Sequence, residues 1–215
     1  MSELKAQLAA RFVAINGEHP MTAADDAYVN QYFVPLDDLC ASRSLSPDVV
    51  RQHMLAQRLP LPGYIRSDGT EMVPADLLEL SERAGGIGQL GEWFASHWAD
   101  RHKASQEWRD YLSGQYVCLR SVTPGNIQRK DELVGAIGAA LAEPRPQSRR
   151  WLEDLHGLVD ELDELEPPFA PYDRLRFGGP VSRDTAIDAV RASFPRRPDG
   201  AEPLARDDQS ARVSR

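Results

Sequence analysis

Apolar residues at Leu4, Leu8, Phe12 and Ile15 recur three or four positions apart, the spacing of one helix face, so residues 2–16 are expected to form an amphipathic helix ended by Gly17. Thr22 with Asp25 has the pattern of a capping box, and Tyr28, Val29, Tyr32 and Phe33 carry a second helix as far as Pro35. Residues 36–80 hold the most consistent local signals. Leu36, Leu39, Cys40 and Leu45 give a short helix and its turn an apolar side. Ser46-Pro47-Asp48 then opens a helix with a capping hydroxyl, a proline at its first position and an acid in its first turn. On that helix Val49, Val50, Met54 and Leu55 are expected inside. Asp48, Arg51, Gln52 and Arg58 are expected on or near the outer side, with His53 on either. Pro60 and Pro62-Gly63 break the helix. Two short apolar runs flanking Ser67-Asp68-Gly69 read as a tight hairpin, because Asp-Gly supplies the positive φ angles such a turn needs. Pro74 is expected to begin a third helix through Leu77, Leu78 and Leu80.

Arg83-Ala84-Gly85-Gly86 reads as a boundary, and all four tryptophans (93, 98, 108 and 151) follow it. Helices are expected around Trp93–Trp98 and Trp108–Leu112, after Thr123-Pro124 with Ile127, Leu133, Ile137 and Leu141, and from Trp151 to Leu165. The last is strongly amphipathic, and its acidic run at 160–166 reads as a solvated face. The polar, proline-containing, aperiodic stretch at 195–215 is expected to be a disordered tail.

The order of helix, Ser46-Pro47 helix with Val50-Arg51, Leu59-Pro60 exit and a hairpin with Arg66 and Asp68-Gly69 resembles the winged-helix domains of mercury-resistance-type regulators and phage excisionases. The resemblance spans residues 36–80. It implies that the second helix enters the major groove and the wing touches the backbone. Arg51, Gln52, His53 and Arg58 would then face groove or phosphates, and Arg66 would be the wing contact. The sequence departs from the pattern in having one basic residue between Tyr64 and Val73. A winged-helix scaffold that no longer binds DNA therefore stands beside the DNA-reading alternative. The fold expected is mainly α: a winged helix-turn-helix-like module with a small β-hairpin and two leading helices (1–84), then a helical C-terminal domain (85–194). A wider resemblance rests on FVPLDDLC, RLPLPGYIRSDGTEMVPADLL, SGQYVCLRSVTPGNIQRKDELV and EPPFAPYDRLRFGGPVSRD. It is to a family of uncharacterised bacterial proteins associated with natural-product biosynthesis, and implies context in secondary metabolism but no chemistry.

Charge weakens the DNA reading. The formal net charge is −8, and residues 1–82 alone carry 12 acids against six Lys and Arg, whereas polyanion affinity comes from many cations on phosphates. Cys40 and Cys118 lie far apart among apolar neighbours, which reads as two reduced thiols in a cytoplasmic protein. No run is long and apolar enough for a membrane span. The two N-terminal helices would cover the module or form a homodimer interface.

No metal, phosphate-loop or nucleophile-elbow motif is present, so no cofactor, metal or catalytic set is expected. His97, Cys118, Arg174, Arg176 and Arg183 are the few enzymatic candidates; His97 among indoles and Cys118 are each more simply an ordinary packed residue. The densest chemistry lies at 171–184. There Tyr172, Arg174, Arg176 and Arg183 surround Gly178-Gly179, and Ser182 is expected to cap a helix at 183–194. Glycines admit a ligand close to the backbone, a helix start offers free N–H groups, and arginines clamp carboxylate or phosphate. These residues are candidates for a small anionic ligand or a protein partner. A rigid connection whose arginines pair with the acids at 160–166 is the competing account. The function expected is a non-catalytic protein of natural-product biosynthesis, used for interaction or regulation. A DNA-binding regulator and a biosynthetic enzyme are the alternatives.

Overall fold

The computed structural model describes residues 2–196; the tail expected at 195–215 lies, from residue 197 on, outside the described residues. Ser2 accepts from the Lys5 amide and starts α1 (Glu3–Asn16), which Gly17 ends at φ 81°. Thr22 and Asp25 form the expected reciprocal capping box on α2 (Ala23–Tyr32). There follow β1 (Val34–Pro35), α3 (Leu36–Ser42), α4 (Pro47–Leu55), β2 (Tyr64–Ile65), β3 (Glu71–Val73) and α5 (Glu79–Arg83).

The hairpin forms where Asp68-Gly69 stands, with Gly69 at φ 78°, and Tyr64 pairs with Met72 and Ile65 with Glu71. Beyond the expected hairpin, β3 carries a further strand on its other edge, Val34 opposite Val73 and Pro35 opposite Met72. The residue before a proline is driven to extended backbone, which leaves Val34 ready to pair. The helix expected from Pro74 begins later, at Glu79. Bonds from the Leu77 amide to Pro74 O and from the Glu79 amide to Asp76 O hold the intervening residues in turns.

α6 (Leu90–Ala95) and α7 (Arg101–Leu112) come next, and a 3₁₀ turn (Tyr116–Cys118) links them to α8 (Pro124–Ala142), capped by Thr123. α9 (Arg149–Leu165) packs along α8. α10 (Pro171–Arg176) precedes a π-helical stretch (Arg183–Asp188) that continues into α11 (Ala189–Ser193). The chain is thus mainly α, with one small three-stranded antiparallel sheet. Among the described residues no helix is long and apolar enough to cross a membrane.

Three buried clusters hold these elements. One joins Leu36, Val50, Met54 and Leu80 to Leu90, Phe94, Tyr111 and Ile127, and so runs across the Gly85-Gly86 turn. A second lies between α8, α9 and the π-helical stretch, around Leu133, Leu155, Leu162 and Ile187. The third gathers Val29, Phe33, Tyr64, Met72, Val117 and Tyr172. The backbones of the first half and the second come close at Gly114, at φ 75°. A Cβ there would fall 2.7 Å from Pro62 O and 2.9 Å from Leu61 O, so no other residue fits without a backbone shift.

Candidate functional site

The outer face of α4 does not carry the expected set of groove-facing residues. Val50 and Met54 are buried as expected, but Val49 is 47% exposed and Arg51 only 5% exposed. Arg51 turns inward because three carboxylates meet it there. Its Nε reaches both Glu71 oxygens at 3.0 Å, Nη2 reaches Glu71 Oε2 and Asp37 Oδ1 at 2.6 Å, and Nη1 reaches Asp48 Oδ1 at 2.9 Å. The Glu71 hydrogen bond outweighs burial and holds the guanidinium more firmly protonated than usual. Glu71 comes from β3, so this ion pair ties α4 to the sheet.

α1 packs against α4, with Ser2 Oγ donating to Asp48. His53 is half-buried, its Nδ1 without a partner, and burial together with Arg58 lowers its pKa. Gln52 and Arg58 are exposed. Arg66 is held by Asn30 at 2.9 Å and Asp68 at 2.8 Å, while Asp26 accepts from the amide and hydroxyl of Ser67. The hairpin tip is therefore pinned to α2 through acids, and each basic side chain that turns toward it is already neutralised.

The arginines at 171–184 are brought together in sequence but not around a common opening. Arg174 forms a two-pronged pair with Asp184 and bonds the carbonyls of Phe169 and Ala170 at 3.3 Å. The same Asp184 accepts from the Val181 amide at 3.1 Å, occupying an N–H group that an anion would need. Arg176 runs the other way, into the protein. It bonds Gly63 O at 2.6 Å, Gly114 O at 2.9 Å and Asn16 Oδ1 at 2.7 Å, and lies 5.3 Å above the Phe12 ring.

Arg183 pairs with Asp163, and Arg191 with Asp160 and Asp163, as the rigid-connection account expects. Tyr172 is 2% exposed, a core residue. Ser182 does not cap a helix: its hydroxyl donates to the buried Glu166 carboxylate, which competes for it from α9's end. Gly178 and Gly179 close α10, their amides bonding Leu175 O and Arg174 O at φ 72° and 155°, the left-handed ending that favours glycine.

Cys118 has a neighbour that sequence spacing does not reveal. Lys130, twelve residues on, lies beside the thiol and forms a 2.8 Å ion pair with Glu166, which is fully buried. Burial nonetheless pushes the thiol pKa up, and the ammonium, kept protonated by Cys118 and Glu166 against burial, is no base. That leaves Cys118 a thiol, not a prepared nucleophile. His97 is exposed in the turn after α6, with Nδ1 2.8 Å from Trp93 O and its ring edge-on to the Trp93 indole. Among the described residues no His, Cys, Asp and Glu cluster is suited to a metal ion.

Between the exit of α4, the turns before α5 and the α7–α8 connection lies a small cavity of about 30 Å³. Leu61, Leu77, Leu80 and Val122 form apolar walls, and no Lys, Arg or His lines it. Asp76 contributes a carboxylate, which accepts from Ser121 Oγ. Tyr111 is 4% exposed and lines the same cavity. Burial, then the charge of Asp76, pushes that phenol up, so it stays neutral. Sequence reasoning missed this site because its segments are up to 62 residues apart and none carries a motif.

No curated protein and no solved structure matches the chain. Residues 90–195, from the first residue of α6 past the end of α11, match the model of a family of unknown function, DUF6058.

Proposed function

We propose that this is a non-catalytic cytoplasmic protein whose segment from α3 to β3 is a winged-helix module kept for interaction or regulation, not for reading DNA. The helix, turn, helix and hairpin order supports the winged-helix reading. The observation that carries the loss of DNA reading is the inward turn of Arg51. The residue best placed by resemblance to enter a groove is spent on Glu71, Asp37 and Asp48. Asp26 and Asp68 at the hairpin tip add repulsion toward phosphate. A role in natural-product biosynthesis rests on the resemblance over residues 20–194, and loss of a pathway product on gene deletion tests it.

The DNA question has a direct measurement: binding of the full chain to duplex from upstream of its own gene, at two salt concentrations. The expected result is weak binding that added salt abolishes and that Arg58→Ala and Arg66→Ala change equally on any sequence. Tight, sequence-dependent binding that Arg58→Ala weakens on the specific duplex alone would overturn the proposal.

A further inference from the structure

We propose that a second cavity, between the end of α2, the residue after β3, the α7–α8 connection and the chain following α9, binds a small aromatic carboxylate. Arg120 holds the carboxyl group, and the ring lies against Tyr32 and the apolar walls. The cavity measures about 180 Å³ and is lined by Tyr32, Phe33, Pro74, Leu119, Arg120 and Pro167, with Gln31 beside Tyr32. An apolar cavity of about 150 Å³ takes a benzene ring, so one ring with a small polar head fits this space. Drug-sized ligands occupy pockets of ~300 Å³ or more, which excludes a nucleotide. Phe33 and Leu119 are 6% and 2% exposed and belong to two different buried clusters, so the inner walls are apolar and fixed by the core.

Charge selects the head group. Arg120 is the only charged side chain lining the cavity, and no carboxylate faces it there. Its amide bonds Leu165 O at 2.9 Å and its Nε bonds Glu164 O at 3.1 Å, which fixes the side chain against the end of α9. The guanidinium lies 6.0 Å from the centre of the Tyr32 ring. Its two Nη groups have no hydrogen-bond partner among the described residues, whereas Arg174 and Arg183 are each paired with an acid. Two free Nη groups form a fork that matches the two oxygens of a carboxylate. Inorganic phosphate would satisfy the fork but leave Phe33 and Leu119 without contact, and a cation would meet the arginine directly. The ligand class is the anionic one that the arginines at 171–184 suggested, placed where the cation is free. It holds whether or not the α3–β3 module reads DNA.

Titration calorimetry and thermal melting of the full chain with benzoate, benzamide, benzylamine and inorganic phosphate test the site. Benzoate is expected to saturate one site with a Kd on the order of 1 mM or tighter and to raise the melting temperature. Benzamide, alike in shape but uncharged, should bind about tenfold more weakly or worse, as should phosphate, and benzylamine should not saturate. Arg120→Gln should bring benzoate level with benzamide, and Arg120→Lys should keep part of the difference. Tyr32→Ala should weaken benzoate several-fold. Arg109→Gln, the same charge change at an exposed position on α7, should leave it unaltered. Arg120 is itself exposed, so its variants carry the test if Tyr32→Ala does not fold. Benzamide, benzylamine or phosphate binding as tightly as benzoate, no saturation by benzoate, or equal loss in Arg109→Gln and Arg120→Gln would overturn the proposal. So would tighter binding of N-acetylglycylphenylalanine, which would reassign the site to a peptide C-terminus.

Discussion

The α4–sheet junction and the junction of the end of α9 with the π-helical stretch treat buried polar groups differently. At the first, every prong of the Arg51 guanidinium meets a carboxylate, and Glu71 is buried with it. At the end of α9 the fully buried Glu166 uses Oε1 for Lys130 and Ser182, while its Oε2 and Arg183 Nη1 have no partner among the described residues. Charged groups taken out of water are tolerated only when paired, so full pairing marks Arg51 as part of the framework. Incomplete pairing at the end of α9 leaves buried polar atoms uncompensated, so that junction contributes less to the framework than the Arg51 ion pair does.

The largest test of this contrast is Arg51→Ala. It leaves Glu71 buried and uncompensated and is expected to cost ~3–5 kcal/mol in chemical denaturation. Replacing both partners with apolar residues, Arg51→Met with Glu71→Leu, should recover most of that loss. If Arg51→Ala proves neutral, the ion pair is not framework and the argument against a groove-facing arginine falls with it.

Arg176→Ala comes next, at about 2–4 kcal/mol, because it strands the carbonyls of Gly63 and Gly114 and uncovers Phe12. Arg176→Lys should restore part of the stability only, since one ammonium cannot span three acceptors in the geometry of the planar fork. Gly114→Ala, which forces a Cβ against Leu61 and Pro62 carbonyls at positive φ, is expected to cost more than ~1 kcal/mol by the same measurement.

Acid sensitivity gives a smaller effect with a defined sign. Burial alone would raise the Asp163 carboxyl, but hydrogen bonds from Arg191 and Arg183 outweigh it and hold the carboxyl below its usual value of 3.8. Arg174 holds Asp184 down in the same way. A carboxylate depressed in the folded state contributes stability above its unfolded value, and that contribution is lost as pH falls through the folded one. Asp163→Asn should therefore flatten the acid limb of the melting-temperature profile below about pH 4. Burial raises Asp173, which contributes with the opposite sign, so Asp173→Asn should leave that limb at least as steep.

Much of the local structure was legible in the residues. The Thr22–Asp25 box, Pro47 at the start of α4, Asp68-Gly69 at the hairpin tip and Thr123-Pro124 at the start of α8 all act within one turn of the chain. Each element they announce is present. The inward face of α4 was not legible, because its rotation is decided by Glu71, 20 residues away, and by α1 packed on it. Nor was the role of Ser182, a sound capping residue that Glu166 diverts across space.

The same division holds for the candidate sites. Sequence gathered Arg174, Arg176 and Arg183 within ten positions, which looked like a clamp. The fold sends them to three separate destinations: Arg174 to Asp184, Arg176 to the carbonyls of Gly63 and Gly114, and Arg183 to Asp163. Asp76 and Tyr111 share a cavity only because the turns after β3 meet the end of α7. By itself the sequence determined where helices begin, where the hairpin turns and that the protein is acidic, because those depend on adjacent residues and simple sums. Which polar groups end up paired, and which are left without a partner, is decided by contacts between distant segments, and only the tertiary structure makes those.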